Sequence, residues 1–395
     1  MLLKSVAFIE EAFMGSTLPL AKQFCKDGYS VDIYYLRDFI KEPEGTYCEY
    51  TASKDRITPI PDDRLCEIRE YVDGNNINIY LVRLMRPFES VPVIRNIAGY
   101  IMNRHLKQMT EFIDSKDYEF VNVISNYNTD RFTKIIPYLK SKTVLSLHEV
   151  WNHYQPSTKP SILLRAAIKK GIEIVVFSQN SYNDILKIEG INRENVSVIP
   201  FGLFESYGSL KPAAPKEPLP QKYFLFYGYI VPYKGLSLIK EAVDILGERL
   251  KDYKIVLAGD GNDPILHQVS DDNRYITIPR YISNSELAYL ISNAYAVLCP
   301  YKTVSQSGIP QTAFVFNTPI IASDLKGFKE IIDKDNGLFF KCNDAKGLAE
   351  AMLKLINDSM LRNRLSDNIK AFDVQHPSFD WNNIYSLYKN HFLKQ

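Results

Sequence analysis

The chain is 395 residues long, too long for one core of ordinary size and suited to two domains of about 150 to 200 residues each. An apolar share of 46% and a charged share of 24% exclude a disordered chain, and no run reaches the about 20 apolar residues that a membrane-spanning helix requires. Lysine plus arginine, 47, nearly balances aspartate plus glutamate, 46, so the net charge of +1 gives no case for nucleic-acid binding and any attraction to an anionic surface has to be local.

The amino terminus, MLLKSVAFIEEAFMG, meets acidic Glu10 and Glu11 where a signal peptide would carry a small-residue cleavage site, so it reads as a first strand, Ser5 to Ile9. A loop over Glu10 to Thr17 carries Gly15 and Ser16 at its far end, where the missing side chain of Gly15 lets a phosphate or acceptor approach the backbone, or merely permits a turn. A helix over Leu18 to Lys26 and a strand over Ser30 to Tyr35 complete one β-α-β unit. Residues 41–77 are mixed and polar and read as an excursion from the sheet. Strands follow at Ile79 to Leu84, Phe120 to Asn126, Thr143 to Val150, Ile172 to Gln179 and Val196 to Pro200, separated by helix-sized intervals, which is the pattern of a mostly parallel sheet covered on both faces. His148 ends one of these buried-type strands, so its imidazole is either structural or faces a binding edge.

Residues 208–221 hold four prolines and no periodicity, the composition of a linker. A second α/β set then begins with a strand at Tyr223 to Tyr227, the glycine turn at Gly228 and a helix over Gly235 to Leu246. Further strands read at Lys254 to Leu257, Tyr275 to Ile278, Ala296 to Leu298 and Pro319 to Ser323, with helices over Ser283 to Ser292 and Asp344 to Asn357. Lys234, beside Gly235 at a helix start, can set its ammonium against a diphosphate while free N–H groups of the first turn take the other oxygens. Gln306, Ser307 and Gly308 precede Ile309 and an apolar helix, so the N–H groups of Ser307 to Ile309 offer a second anion site. Together these turns predict a crevice for a negatively charged, sugar-like ligand. The last residues, Asp380 to Phe392, form an aromatic helix.

The cysteines Cys25, Cys48, Cys66, Cys299 and Cys342 are scattered with no C-x-x-C pair, which fits a reducing compartment and gives no metal spacing. Arg83, Arg86, Arg95, Arg104 and Lys107 lie among apolar residues, and Ile162 to Lys170 is a second basic amphipathic stretch; both read either as solvated faces or as surfaces resting on anionic headgroups.

The segments GYIVPYKG, LAGDG, YISNSEL, SQSGIP and KGFKEI, with LSLHEV and VSVIPFG before them, resemble those of the retaining glycosyltransferases of the GT-B fold, family 4, over nearly the whole chain. The resemblance implies two Rossmann-like domains facing across a cleft: an acceptor domain over 1–207, a linker over 208–221, a nucleotide-sugar domain over 222–377, and a terminal helix over 378–395 packing back on the first domain. It assigns Lys234 to the donor's phosphates and His148 to the donor sugar as the catalytic pair. It assigns Gly15, Ser16, Gly228, Gly259, Arg280, Ile282, Gln306, Ser307, Gly308, Ile309, Thr312 and Glu330 to donor binding. Relatives carry an arginine in the turn opened by Gly228, where this chain has Tyr229 and Ile230, leaving Arg280 as the candidate substitute. They also carry two glutamates that here fall at Thr312 and at Val304 or Ser305, leaving Glu330 as a candidate for the ribose.

The activity so implied is metal-free transfer of a hexose or related sugar from a UDP-sugar, with a GDP-sugar as the second choice, to a hydroxyl of a glycan or lipid-linked oligosaccharide. The setting would be bacterial surface polysaccharide or glycolipid assembly, in the cytoplasm or at the inner face of the plasma membrane. A non-catalytic carbohydrate- or nucleotide-binding protein of the same fold is the alternative.

Overall fold

The computed structural model describes residues 4–11, 14–38, 57–60, 68–84, 92–125, 130–151, 161–304 and 306–393, and the side chains of 38, 92–95 and 130–131 are not among them. Most of the expected excursion over 41–77, together with Asn126, Arg86, Cys48, Cys66 and Ser305, lies outside the described residues. The chain divides into two compact units, Met1–Gly202 with Ser378–Gln395, and Leu203–Pro377.

The first unit is built on eight strands: β1 (Ser5–Glu10), β2 (Ser30–Asp38), β3 (Ile57–Pro59), β4 (Ile77–Leu84), β5 (Val121–Ser125), β6 (Thr143–Leu147), β7 (Glu173–Val176) and β8 (Val196–Val198). Their order is β3-β4-β2-β1-β5-β6-β7-β8, parallel throughout except for the antiparallel edge pair β3–β4. Every residue of β5 and β6 is buried, as expected of strands covered on both faces. A helix over Pro92–Asp114 lays Ala98, Met102, Leu106, Met109 and Ile113 on the sheet at helical spacing.

The terminal helix, Trp381–Phe392, belongs to this unit. Asp380 caps it by accepting from the N–H groups of Asn382 and Asn383. Its aromatic face buries Trp381, Ile384, Tyr388 and Phe392, and the Tyr385 ring stands edge-on to Phe24 at 4.9 Å. Asp27 closes the contact by accepting from the Lys389 ammonium at 2.6 Å and from the Tyr385 hydroxyl.

The second unit carries six parallel strands: β9 (Tyr223–Tyr227), β10 (Lys254–Ala258), β11 (Tyr275–Ile278), β12 (Ala296–Cys299), β13 (Ile320–Ser323) and β14 (Gly337–Phe340). The order β11-β10-β9-β12-β13-β14 is that of a doubly wound sheet, in which the chain winds one way from β9 and the other way from β12. The loops leaving β9 and β12 therefore diverge above a crevice at the carboxyl edge, the place where such sheets take their ligands.

Candidate functional site

The crevice between β9 and β12 is assembled by close backbone approaches. Gly235 adopts φ +77°, and a Cβ there would lie 1.9 Å from the carbonyl oxygen of Pro300, so only glycine lets the two loops touch. The Lys302 N–H then donates to the Tyr233 carbonyl at 2.8 Å and holds them in register. This docking sets the Lys234 ammonium 5.5 Å above the Tyr301 ring. A Cβ on Gly228 would stand 3.2 Å from the same ammonium, which therefore lies against the mouth of the β9 turn.

Lys234 has no hydrogen-bond acceptor or carboxylate partner among the described residues. Burial pushes its pKa down to about 8, opposed only by the neighbouring Cys299 thiol, which burial itself pushes up. An ammonium that gives up water without gaining a counter-charge is a standing cost to the fold, and an arriving anion removes it.

Beside the lysine opens a pocket of about 320 Å³ whose walls come from Tyr207, Tyr227, Gly228, Gly259, Ile282 and Asn284, with Tyr229, Asp260, Tyr281 and Leu287 completing it. Tyr229 and Tyr281 remain 50% and 38% exposed, so both bring partly exposed aromatic surface to the pocket. The Tyr227 hydroxyl donates to the Ile309 carbonyl at 3.1 Å and ties the pocket floor to the helix Ile309–Val315. Asn284 opens the helix Asn284–Ser292, fixed by a capping box between Ser283 and Glu286.

Of the residues singled out in the sequence, Gly228, Gly259 and Ile282 line this pocket and Lys234 adjoins it. Gln306, Ser307 and Gly308 form the turn ahead of Ile309, but Ser307 Oγ already accepts from the Ile309 N–H at 3.3 Å, so one of the three amides expected to hold an anion is engaged. Thr312 is buried and its hydroxyl donates to the Gly308 carbonyl at 3.0 Å, so it turns into its own helix. Glu330 is half-buried and closes the short helix Lys326–Lys329 beyond β13.

Arg280 is engaged by two carboxylates. Its guanidinium, considered as a second charge for a diphosphate, donates from Nη2 to Glu217 at 2.8 Å and to Glu286 at 2.8 Å, with Nε and Nη1 completing both pairs. Glu217 stands in the proline-rich stretch before β9, so the arginine fastens that stretch to the capping box.

In the first unit the loop expected at Gly15 and Ser16 is instead the first turn of a helix, Met14–Lys26, and both residues are buried. Glu10, at the end of β1, is fully buried and accepts from the Thr17 hydroxyl at 3.0 Å. His148 follows β6 and lies against Phe177 at 4.5 Å and Phe201 at 5.6 Å. Burial pushes its pKa down to about 3, so the imidazole is neutral at working pH. Among the basic residues considered for a membrane surface, Arg83 is buried in β4 and Lys170 donates to the carbonyls of Ile136 and Leu139 at the end of the preceding helix. Among the described residues no cluster of three or more His, Cys, Asp or Glu is placed to hold a metal ion, and no helix is long and apolar enough to cross a membrane.

Two doubly wound, helix-covered sheets of this kind define the GT-B fold, and solved structures agree over the full chain. HepE of Anabaena, crystallised with UDP and glucose, superposes with a TM-score of 0.65 at 14% identity, covering 98% of each chain. A variant of TarM from S. aureus in complex with UDP gives a TM-score of 0.69 at 12% identity, covering 99% of this chain and all of that one.

Residues 210–372, which lie within the second unit, match the family model of glycosyl transferases group 1. The phosphatidyl-myo-inositol mannosyltransferase of Mycolicibacterium smegmatis is 27% identical over 157 residues, 38% of this chain and 41% of that protein. The O-antigen chain mannosyltransferase RfbU of Salmonella typhimurium is 24% identical over 267 residues, 65% of this chain and 70% of its own. The chain thus matches less than half the length of the first of these relatives.

The tyrosines of the pocket, Tyr207, Tyr227, Tyr229 and Tyr281, and the cap residue Asn284 were not legible as site residues, because aromatic residues at strand ends and in turns read as core. The usable signal was position for four of them: Tyr227, Tyr229 and Tyr281 lie at or just past the carboxyl end of a strand and Asn284 starts a helix, whereas Tyr207 sits inside the short 3-10 helix Glu205–Ser209.

Proposed function

We propose that the protein is a retaining glycosyltransferase of family 4, which transfers a sugar from a nucleotide diphosphate sugar, UDP first among the bases, to a hydroxyl of a glycan or lipid-linked acceptor in surface polysaccharide or glycolipid assembly. The observation that carries this reading is the Lys234 ammonium, half-buried and unpaired among the described residues, at the switch point of a doubly wound sheet and beside an aromatic-walled pocket. The pocket suits a nucleobase, and the lysine suits the diphosphate whose charge grows as the sugar departs. The names of the related mannosyltransferases and the UDP bound by HepE and TarM support the same reading.

In this mechanism Lys234 stabilises the leaving diphosphate, and the departing phosphate helps to take the acceptor proton on the same face of the sugar. His148 serves as a neutral hydrogen-bonding group toward the sugar and not as a proton donor. No metal is required if Lys234 and backbone dipoles carry the charge. Gly228, Gly259 and Ile282 frame the base and ribose, while Gln306, Ser307, Gly308 and Ile309 face the phosphates and sugar, with Glu330 the candidate for the ribose in place of Thr312. Gly15 and Ser16 supply first-turn amides.

The test is thermal stabilisation by UDP, GDP and dTDP, followed by transfer assays with the matching sugars and assignment of the product anomer. Saturable stabilisation and a product of retained configuration are expected. Absence of stabilisation by all three nucleotides overturns the reading.

Contact with anionic membrane is part of the proposal and rests on exposed residues of two helices. Ile97, Tyr100, Arg104 and Lys107 share the outer side of Pro92–Asp114, and Ile162, Arg165 and Lys169 are exposed on Ile162–Lys170. Co-sedimentation with phosphatidylglycerol vesicles at low salt, reduced in an Ile97→Glu/Tyr100→Glu variant, is expected. A protein that stays in the supernatant refutes membrane contact.

A further inference from the structure

The tyrosine after β12 has a role that the pocket alone does not reveal. Tyr301 is 3% exposed, and its hydroxyl has no hydrogen-bond partner among the described residues. The Ser307 side chain lies beside that hydroxyl, yet no hydrogen bond of ordinary geometry joins them. Leaving a buried hydroxyl unsatisfied is costly, and such a group calls for an explanation.

The surroundings hold the ring rigidly. Its carbonyl accepts from the Ser323 hydroxyl at 2.7 Å, and its ring packs against Phe328 at 5.3 Å and edge-on to Tyr233 at 6.1 Å. The Lys234 ammonium stands 5.5 Å above the ring, and Ser307 opens the turn before Ile309. A donor without an acceptor and a cation without a counter-ion among the described residues thus share one corner of the switch point, and a single phosphate group supplies both needs.

Resting on the nucleotide-sugar reading and extending it, we propose that Tyr301 is a donor-binding residue whose hydroxyl donates to a phosphate oxygen of the diphosphate, entering between Lys234 and Ser307. Burial raises its pKa far above the usual phenol range, so the group remains a proton donor at any working pH and never competes with the phosphate as an anion. The ring meanwhile presents its face to the lysine, which keeps the ammonium in place when no ligand is bound.

The test compares wild type with Tyr301→Phe, using UDP, GDP, dTDP, inorganic pyrophosphate and uridine as probes in thermal-shift and calorimetric titrations. Because the hydroxyl makes no hydrogen bond among the described residues, the ligand-free variant is expected to melt at the same temperature as wild type or higher. Its affinity for pyrophosphate and for the nucleotide that binds wild type is expected to fall about tenfold or more, with uridine binding unchanged. A drop in ligand-free melting temperature, or failure to fold, marks the hydroxyl as structural and overturns the proposal. Equal diphosphate affinity in the two proteins, or an equal loss for uridine, overturns it while leaving the nucleotide-sugar reading standing. If neither pyrophosphate nor any nucleotide binds wild type, the reading and this inference fall together.

Discussion

Burial of the Lys234 ammonium without a counter-charge lowers its pKa from 10.5 to about 8, and the sign of that shift fixes two pH dependences. The unfolded chain binds the proton more tightly than the folded one, so ligand-free stability should rise with pH between about 8 and 10.5 and level off outside that window. A Lys234→Met variant should lose this slope in denaturation curves taken across the window. Diphosphate binding has the opposite trend: it draws on the charged form, so affinity should fall above pH about 8 and binding there should take up a proton. Calorimetry in two buffers of different ionisation enthalpy measures that uptake, and its absence would place the anion elsewhere. Lys234→Ala should cut turnover roughly a hundredfold with the fold intact. For His148, kept neutral by burial beside Phe177 and Phe201, the expected outcome is that His148→Ala damages transfer, His148→Gln retains more of it, and nucleoside diphosphate binding stays nearly unchanged in both. A proton-transfer break in the pH profile that vanishes in the glutamine variant would refute the neutral role. Lysine beside glycine at a helix start was legible in the sequence because charge and turn are adjacent. The engagement of Arg280 was not, since its partner Glu217 lies 63 residues away in a stretch without periodicity.

Strands buried on both faces are legible as uninterrupted apolar runs, and β1, β5, β6, β9 and β10 were readable on that ground. β14 escaped because its four residues, GLFF, are only half-buried at the sheet edge and too short for a pattern. The helix Ser359–Ile369 escaped because Leu361, Leu365 and Ile369 are its only buried residues in a polar sequence. At Met14–Lys26 the sequence misleads, since Gly15 reads as part of a loop while the helix already begins at Met14. A tight approach between elements gives the next prediction. Gly202 meets the residues just ahead of the terminal helix, and a Cβ there would sit 2.4 Å from the Phe379 carbonyl and 2.8 Å from Trp381 Nε1. Both neighbours are held, one as backbone and one as a buried indole, so Gly202→Ala should destabilise the first unit by about 1 to 3 kcal/mol. Urea unfolding followed by tryptophan fluorescence reads the effect, and an unchanged midpoint would show that the junction is free to shift.

At the level of the whole molecule, composition spoke for two domains, but the terminal helix shows where such reasoning runs out. Its own residues say that Trp381–Phe392 is amphipathic and aromatic; they do not say which core it covers. The answer lies in partners distant in the chain, Phe24 and Asp27 on the first helix and Lys142, which donates to the Phe392 carbonyl at 2.8 Å. The first unit therefore closes only when Trp381–Phe392 has been made, while the second unit holds its whole sheet, the pocket, Lys234 and Tyr301 within Leu203–Pro377. Ending the chain at Pro377 removes four side chains that are at most 3% exposed, Trp381, Ile384, Tyr388 and Phe392, and bares their apolar seat on the first unit. The truncated protein is expected to lose or sharply weaken the calorimetric transition of the first unit. The transition of the second unit should persist and still shift upward with UDP, or with whichever of GDP and dTDP binds the full chain. Disappearance of the nucleotide-dependent shift on truncation would mean that nucleotide binding depends on the first unit, and the expectation that Leu203–Pro377 retains it would fail.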